Sequence, residues 1–254
     1  MSTLSDIDRL KIEDLTDELF FNKYVMCNNP LVILDGALHW RAIKRWSPVF
    51  FKYLLGSKKV IIKSSESGIF DYNKIMVSSE VGSHEVPFPE AIDLICKSDS
   101  TKYYIQQTSV QSISQELMAD ISIPEIITSH QGGCSCNMWF GAQGCKTPLH
   151  HDLSENLLSQ IKGRKRVILF PPREEKHLYP AIGYKLPHCS QVDVFSPDIV
   201  KYPLFTKASV HRQEFVLEPG NILYIPSNWW HALESLDISM SVNIWWQIQT
   251  SLVS

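Results

Sequence analysis

The residues best able to do chemistry fall in one short run, Thr147-Pro148-Leu149-His150-His151-Asp152. Two imidazoles and a carboxylate lie side by side there, and no other acid–histidine cluster in the chain is as tight. If residues 150 to 161 are extended, alternate side chains share a face. His150, Asp152, Ser154 and Asn156 then point one way and His151 the other. A histidine and a carboxylate two positions apart can fill two adjacent corners of a metal's coordination sphere. His231, in "YIPSNWWHAL", ends a strand that follows a Pro-Gly turn, so it is a candidate third ligand from an antiparallel neighbour. Two histidines and one carboxylate leave positions open on the metal, as in non-haem Fe(II) oxygenases. Zinc accepts the same three donors. A lone His-x-Asp also arises by chance, and a histidine among tryptophans is commonly a packed residue, so the motif by itself is only a hypothesis.

The surrounding residues add weight. The turn Lys162-Gly163-Arg164 reverses the chain, and Lys165 opens the returning strand with its ammonium directed back toward the same face. The strand continues "VILF", which favours a buried Lys165 over a surface charge. A buried lysine needs an anionic partner, and a dicarboxylate co-substrate chelating the metal would supply one. Thr147 can add a hydroxyl donor beside it. Further on, Ser239, Ser241, Asn243 and Trp245 share one face of a strand, with Ile238, Met240, Val242 and Ile244 on the other. That is a small, polar inside with Asn243 facing inward, and a packed outside.

These side chains need elements to hold them. Residues 5 to 27 read as helical, with Ile12, Leu15, Leu19, Phe20 and Val25 near one face. "PLVILDGALHW" is a buried strand and a turn, and "SPVFFKYLLG" a helix opened by Ser-Pro and closed by Gly. "KKVIIK" predicts a strand, "PFPEAIDLICKSD" a helix, "KYYIQQ" a strand and "SISQELMADI" one short helix. From about residue 135 short apolar strands alternate with Gly- and Pro-marked turns, the pattern of an antiparallel sandwich or barrel. Residues 174 to 205 form a long insertion, rich in Pro and Tyr, expected over one mouth of that barrel. A single domain is expected over residues 1–254. In it the helices and strands of 1–110 pack on a jelly-roll core of 111–254.

Composition narrows the function. A net charge of −3 gives no electrostatic reason to expect a nucleic acid as the main partner, and the one dense basic run, Lys162 to Arg166, reads as a hairpin turn. The six cysteines form no CxxC pair. Cys134-Ser-Cys136 could chelate a metal, but two reduced thiols beside a Gly-Gly loop is the simpler reading. A reducing compartment, cytosol or nucleus, is expected. The acidic start lacks the apolar core of a signal peptide, and no apolar run approaches the roughly 20 residues that span a bilayer.

Taken together, "TPLHHD", Asn156, Lys165, "EPGNILYIPSNWWHAL" and "SVNIWW" resemble the JmjC family of Fe(II)- and 2-oxoglutarate-dependent oxygenases, over essentially the whole chain. "NPLVILDGALHWRAIKRWS" is similar to the N-terminal strand and helix of small JmjC hydroxylases. "YYIQQ", "NMWFGAQG" and "HCSQVDVFSPDIVKYPLF" resemble a subgroup described both as arginyl hydroxylases and as histone lysine demethylases. "KYPLFTKA" is equally similar to a tRNA wybutosine-synthesising hydroxylase.

The resemblance implies a mainly β, double-stranded β-helix (a cupin-like jelly roll) with flanking helices, using Fe(II), 2-oxoglutarate and O2. It makes His150, Asp152 and His231 the iron ligands. It assigns Lys165, Thr147 and Tyr104 to the distal carboxylate of 2-oxoglutarate, and Asn156 and Asn243 to the co-substrate near the metal. Gln107 and Trp139 would meet the substrate.

The implied reaction is hydroxylation of a protein or peptide side chain, arginine or lysine first. N-methyl-lysine demethylation, tRNA-base hydroxylation and a catalytically silent binding module are the alternatives; the intact triad and Lys165 argue against silence. One departure bears on arginine. Lys63 of "KKVIIK" stands where arginyl hydroxylases carry an acid, which weakens arginine specificity unless Glu66 or Asp71 takes that place. The chain stops soon after its last strand, without the C-terminal helices some relatives use to dimerise, so a monomer is expected.

Overall fold

Short runs rich in Val, Ile, Leu and aromatic residues, separated by turn formers, fold as strands in the computed structural model, which describes residues 7–56, 58–71, 80–97, 100–128, 131–182 and 186–248. The strands in chain order are β1 (Asp8–Lys11), β2 (Leu31–Leu34), β3 (Lys59–Ser65), β4 (Gly82–Pro87), β5 (Lys102–Ser109), β6 (Gln131–Gly141) and β7 (Lys146–His150). They continue as β8 (Glu155–Lys162), β9 (Lys165–Phe170), β10 (Gln213–Leu217), β11 (Ile222–Ile225), β12 (Trp230–Ser235) and β13 (Ser239–Ile248). One sheet has the order β1-β2-β11-β8-β13-β6-β5-β3-β4 and the other β10-β9-β12-β7. From β6 onward the chain alternates between them except at β9 and β10, which are paired in one sheet: β6, β8, β11 and β13 lie in the first, β7, β9, β10 and β12 in the second. This is the mainly β, jelly-roll arrangement that the strand spacing and the resemblance predicted.

The larger sheet is covered on its outer face by the N-terminal region. Met240, Val242, Ile244 and Trp246 of β13 share one apolar cluster with Phe20, Trp46, Phe51 and Phe88. Burying each such side chain contributes roughly 1.5–3 kcal/mol, so a charge at Val242 would break the layer. The opposite face of β13 is polar, as its alternation predicted. Ser239 and Ser241 meet Gln160, whose Nε2 lies 2.9 Å from Ser239 Oγ and whose Oε1 accepts from Ser241 Oγ at 2.7 Å. The Pro48–Leu55 helix starts where Ser47 accepts from the Phe50 N–H and stops at Gly56, whose φ of 47° ends the right-handed turn. The Phe88–Cys96 helix buries Phe88, Ala91, Ile92 and Ile95, one face at helical spacing.

Three sequence expectations are corrected. The helix expected over residues 5 to 27 begins later: residues 5 and 6 lie outside the described residues, and Asp8–Lys11 pairs in parallel with β2. The free edge of β2 offers a ladder that outcompetes one more helical turn. After a 3-10 turn over Ile12–Asp14, the α-helix starts only at Asp17, capped by Thr16, and continues as a π-helical turn over Phe20–Val25. The single helix of "SISQELMADI" is two pieces, because Ser114 leaves the helical region (ψ 132°) and its side chain caps the second piece. The uninterrupted strand over 150 to 161 is two strands, since β7 ends at His150 and β8 begins at Glu155. The chain must cross there from one sheet to the other. The helix of "PFPEAIDLICKSD" ends at Cys96, and its Ser98 and Asp99 lie outside the described residues.

The insertion between β9 and β10 is bound to the edge of β7. Ser190 N–H donates to Leu149 O at 2.8 Å, and His151 N–H to His188 O at 2.9 Å. Its Val192, Val194 and Phe205 pack with Phe170 and Trp230. Residues 183–185 of it lie outside the described residues. Among the described residues no helix is long and apolar enough to cross a membrane.

Candidate metal centre

β7 and β12 are antiparallel neighbours in the smaller sheet, and their register sets His231 directly opposite His150. The imidazole centroids are 4.2 Å apart. Asp152 follows β7 in the crossover, and its Oδ2 lies 3.7 Å from His231 Nε2. One ligand atom from each of the three residues lies within 4.8 Å of the others.

Each ring is aimed by its own backbone. His150 Nδ1 bonds Pro148 O at 2.8 Å and His231 Nδ1 bonds Trp229 O at 2.9 Å. A carbonyl can only accept, so the proton sits on Nδ1 and the lone pair on Nε2, the nitrogen through which each ring would bind a metal. Burial, with His231 beside it, pushes the His150 imidazole well below its usual range, so it is a neutral donor at ordinary pH. Asp152 Oδ2 is buried and accepts no hydrogen bond from the described residues. A desolvated carboxylate oxygen facing imidazole lone pairs is unfavourable unless a cation lies among them. The two nitrogens and one oxygen therefore fit a divalent ion such as Fe(II) or zinc.

The triad opens onto a cavity of about 240 Å³. Along the β9–β12 ladder His231 faces Leu169 and Lys165 faces Ser235. Four residues of strand, roughly 13 Å, therefore separate the backbones of His231 and Lys165. Lys165 is only 2% exposed, and its Nζ donates to Tyr104 Oη at 3.3 Å. Burial pushes its ammonium down to about 8, and among the described residues no carboxylate lies within ion-pair distance of it. The Tyr104 ring can lie there because its β6 partner is Gly141: a Cβ at 141 would sit 2.6 Å from the ring. Thr147, buried, lines the same cavity.

A second polar row crosses the site. Trp139 Nε1 donates to Asn243 Oδ1 at 2.7 Å, and Asn243 Nδ2 to Asn156 Oδ1 at 3.4 Å. Trp139 and Trp245 meet at right angles, centroids 6.5 Å apart. Gln107 reaches the cavity from a bulge in β5, with φ at 48°.

Every residue expected at the site on sequence grounds thus lines this cavity, the ligand triad and its neighbours alike. The sequence reading missed His188, Leu158, Ile225, Leu233 and the permissive Gly141. Leu158 and Ile225 could have been found from alternation on β8 and β11. His188 had no local signal, since it arrives through the backbone pairing of the insertion with β7. Lys63, Glu66 and Asp71 are not among the lining residues, so Asp152 is the one acid there among the described residues. Cys134 and Cys136 join no metal-ligand cluster among the described residues.

Comparison with known proteins agrees with this architecture. A family model described as "Cupin-like domain" matches residues 17–251. The chain is 34% identical over 235 residues to "Lysine-specific demethylase 8" of Xenopus tropicalis, covering 90% of the chain and 50% of that protein. It is 29% identical over 254 residues to "Jumonji C domain-containing protein 5" of Drosophila melanogaster, covering 95% of the chain and 60% of the fly protein. Identity to "tRNA wybutosine-synthesizing protein 5" of Homo sapiens is 28% over 254 residues, covering 93% and 77%. The chain spans about half the length of the lysine-specific demethylases it matches. With the jelly roll and its His-Asp-His group, these matches establish that the chain belongs to the cupin-like family, in its JmjC group.

Proposed function

We propose that the chain is an Fe(II)- and 2-oxoglutarate-dependent oxygenase that hydroxylates a protein side chain, with arginine and lysine the first candidates. One juxtaposition carries the reading. Among the described residues, a carboxylate oxygen with no hydrogen bond faces two imidazoles at one place in the cavity, and a buried lysine with no carboxylate at ion-pair distance waits farther along it. The first supports a divalent cation and the second a dicarboxylate.

In this reading His150, Asp152 and His231 hold the iron, and Lys165, Tyr104 and Thr147 hold the distal carboxylate of 2-oxoglutarate. When bound, iron and 2-oxoglutarate together reduce O2 and oxidise a C–H bond, with loss of CO2 and succinate. The chain's own part is to orient and to exclude water. The Trp139–Asn243–Asn156 row fixes the amides beside the metal. Leu158, Ile225 and Leu233 supply apolar wall. Gln107 and Trp139 meet the incoming side chain.

N-methyl-lysine demethylation is a second reading, favoured by the perpendicular Trp139–Trp245 pair, whose faces suit a diffuse cation. The names of the frog and plant relatives point the same way. A tRNA substrate, suggested by the human relative's name, is opposed by the net charge of −3. Free thiols at all six cysteines support a cytosolic or nuclear compartment.

Succinate release from 2-oxoglutarate with Fe(II) and a panel of arginine, lysine and methyl-lysine peptides tests the proposal. A product heavier by one oxygen marks hydroxylation, and one lighter by a methylene marks demethylation. Absence of metal-dependent 2-oxoglutarate consumption by the folded protein would sink both.

A further inference from the structure

The turn Pro226–Trp229 lies outside the ligand triad, yet it touches both arms of it. Asn228, with φ at 64°, donates its N–H to the Asp152 carbonyl at 2.7 Å. One residue on, the Trp229 carbonyl accepts from His231 Nδ1 at 2.9 Å. The turn thus sets the position of the Asp152 backbone and the ring orientation of His231 together. The turn is closed by Trp229 N–H to Pro226 O at 3.2 Å.

Two residues from distant parts of the chain grip it from different sides. Glu155, buried at the start of β8, accepts from the Ser227 N–H at 3.3 Å. The same oxygen accepts from Tyr224 Oη at 2.5 Å, which locks the carboxylate. Asn28, in the turn that follows the Phe20–Val25 helix, donates from Nδ2 to the Ser227 carbonyl at 3.3 Å. Its own carbonyl accepts from Trp229 Nε1 at 2.8 Å. Both polar groups of the Ser227 backbone are therefore held by side chains, one from the barrel and one from the N-terminal layer.

We infer that Glu155 and Asn28 are positioning residues of the metal centre: by clamping the Pro226–Trp229 turn they set the distance between Asp152 and His231 and hence the affinity of the site. The inference rests on the iron reading above but concerns residues that touch neither metal nor co-substrate. It also gives the N-terminal layer a part in the site, because the clamp is incomplete without Asn28. Groups that orient metal ligands in this way change metal affinity about 10- to 100-fold when removed.

The test is calorimetric titration of the metal-free protein with Co(II), alongside its thermal unfolding and the proton NMR spectrum of the Co(II) form. Glu155→Ala is expected to weaken Co(II) binding about 10- to 100-fold and to shift the hyperfine-displaced Nδ1 proton of His231. Glu155→Gln, which keeps a carbonyl acceptor, restores most of the affinity. Asn28→Gly keeps the left-handed backbone (φ 51°) and the bond to Trp229 while removing the amide. It is expected to weaken Co(II) binding in the same direction by a smaller factor. Folded variants that bind Co(II) like wild type, or that lose only melting temperature, overturn the inference. If Glu155→Ala does not fold, Asn28→Gly decides alone. Wild-type protein that takes up no Co(II) would overturn the iron reading too, so the two failures are distinguishable.

Discussion

Asp152 Oδ2 lies 3.7 Å from His231 Nε2 and, though buried, accepts no hydrogen bond from the described residues. The metal-free protein carries this oxygen at a cost that a divalent cation removes. Adding Co(II) should therefore raise the melting temperature, by the equivalent of about 2.7 kcal/mol at a free concentration near 100 times its Kd. Chelation with EDTA should reverse it. Asp152→Ala should abolish the shift, while its metal-free form melts no lower than metal-free wild type, because the unsatisfied carboxylate is gone. A cobalt-induced shift that survives in Asp152→Ala would show that the ion binds elsewhere.

Lys165 gives a pH signature. Burial lowers its ammonium to about 8, and only the protonated form attracts a dicarboxylate. Affinity for 2-oxoglutarate should hold at neutral pH and fall about tenfold per unit as pH climbs beyond about 8. The same group makes a stability term of opposite sense. Between about 8 and 10.5 the unfolded chain binds the proton that the folded chain has released, so stability rises with pH across that window. Lys165→Met should lose both slopes and most 2-oxoglutarate affinity while keeping Co(II) affinity. Calorimetry and thermal melts across this range check each part, and a flat 2-oxoglutarate profile in wild type would count against Lys165 as the anchor.

The Trp139–Asn243–Asn156 row can be broken at its first bond. Trp139→Phe removes the donor to Asn243 Oδ1, a buried acceptor with no second side-chain donor among the described residues. Stability in urea should fall by about 1–3 kcal/mol, and the KM for 2-oxoglutarate should rise because Asn243 is free to turn. Unchanged values for both would mean the row is packing without consequence.

Gln107 separates backbone from side-chain effects. At φ 48°, a β-branched residue is strained by about 1–2 kcal/mol. Gln107→Val should thus destabilise the fold, whereas Gln107→Gly should not. Gln107→Gly should raise KM for the protein substrate and leave that for 2-oxoglutarate alone. Peptide kinetics for the glycine variant beside melts of both give the answer; equal stability losses would place the importance of Gln107 in packing.

Much of this site was legible along the chain because its parts are local. His150 and Asp152 are two residues apart, Lys165 lies just past a hairpin turn, and the alternation over 239–245 sorts polar from apolar faces without any tertiary information. The strand expected to carry His150 and Asp152 together does not exist as one piece, yet the pair converges, since the crossover after His150 turns Asp152 back toward the same space. Helix pattern misled at the N-terminus, where the edge of β2 captured residues with apolar spacing suited to either structure.

What local pattern could not decide was which distant strands become neighbours. His231 reaches the pair only through the β7–β12 register, and Tyr104 and Trp139 enter from β5 and β6 on the other sheet. His188 arrives through the insertion's backbone bonds, and Asn28 through the N-terminal layer. Periodicity determines which face a side chain takes; packing of the two sheets against each other, which buries both inner faces at once, determines what that face meets.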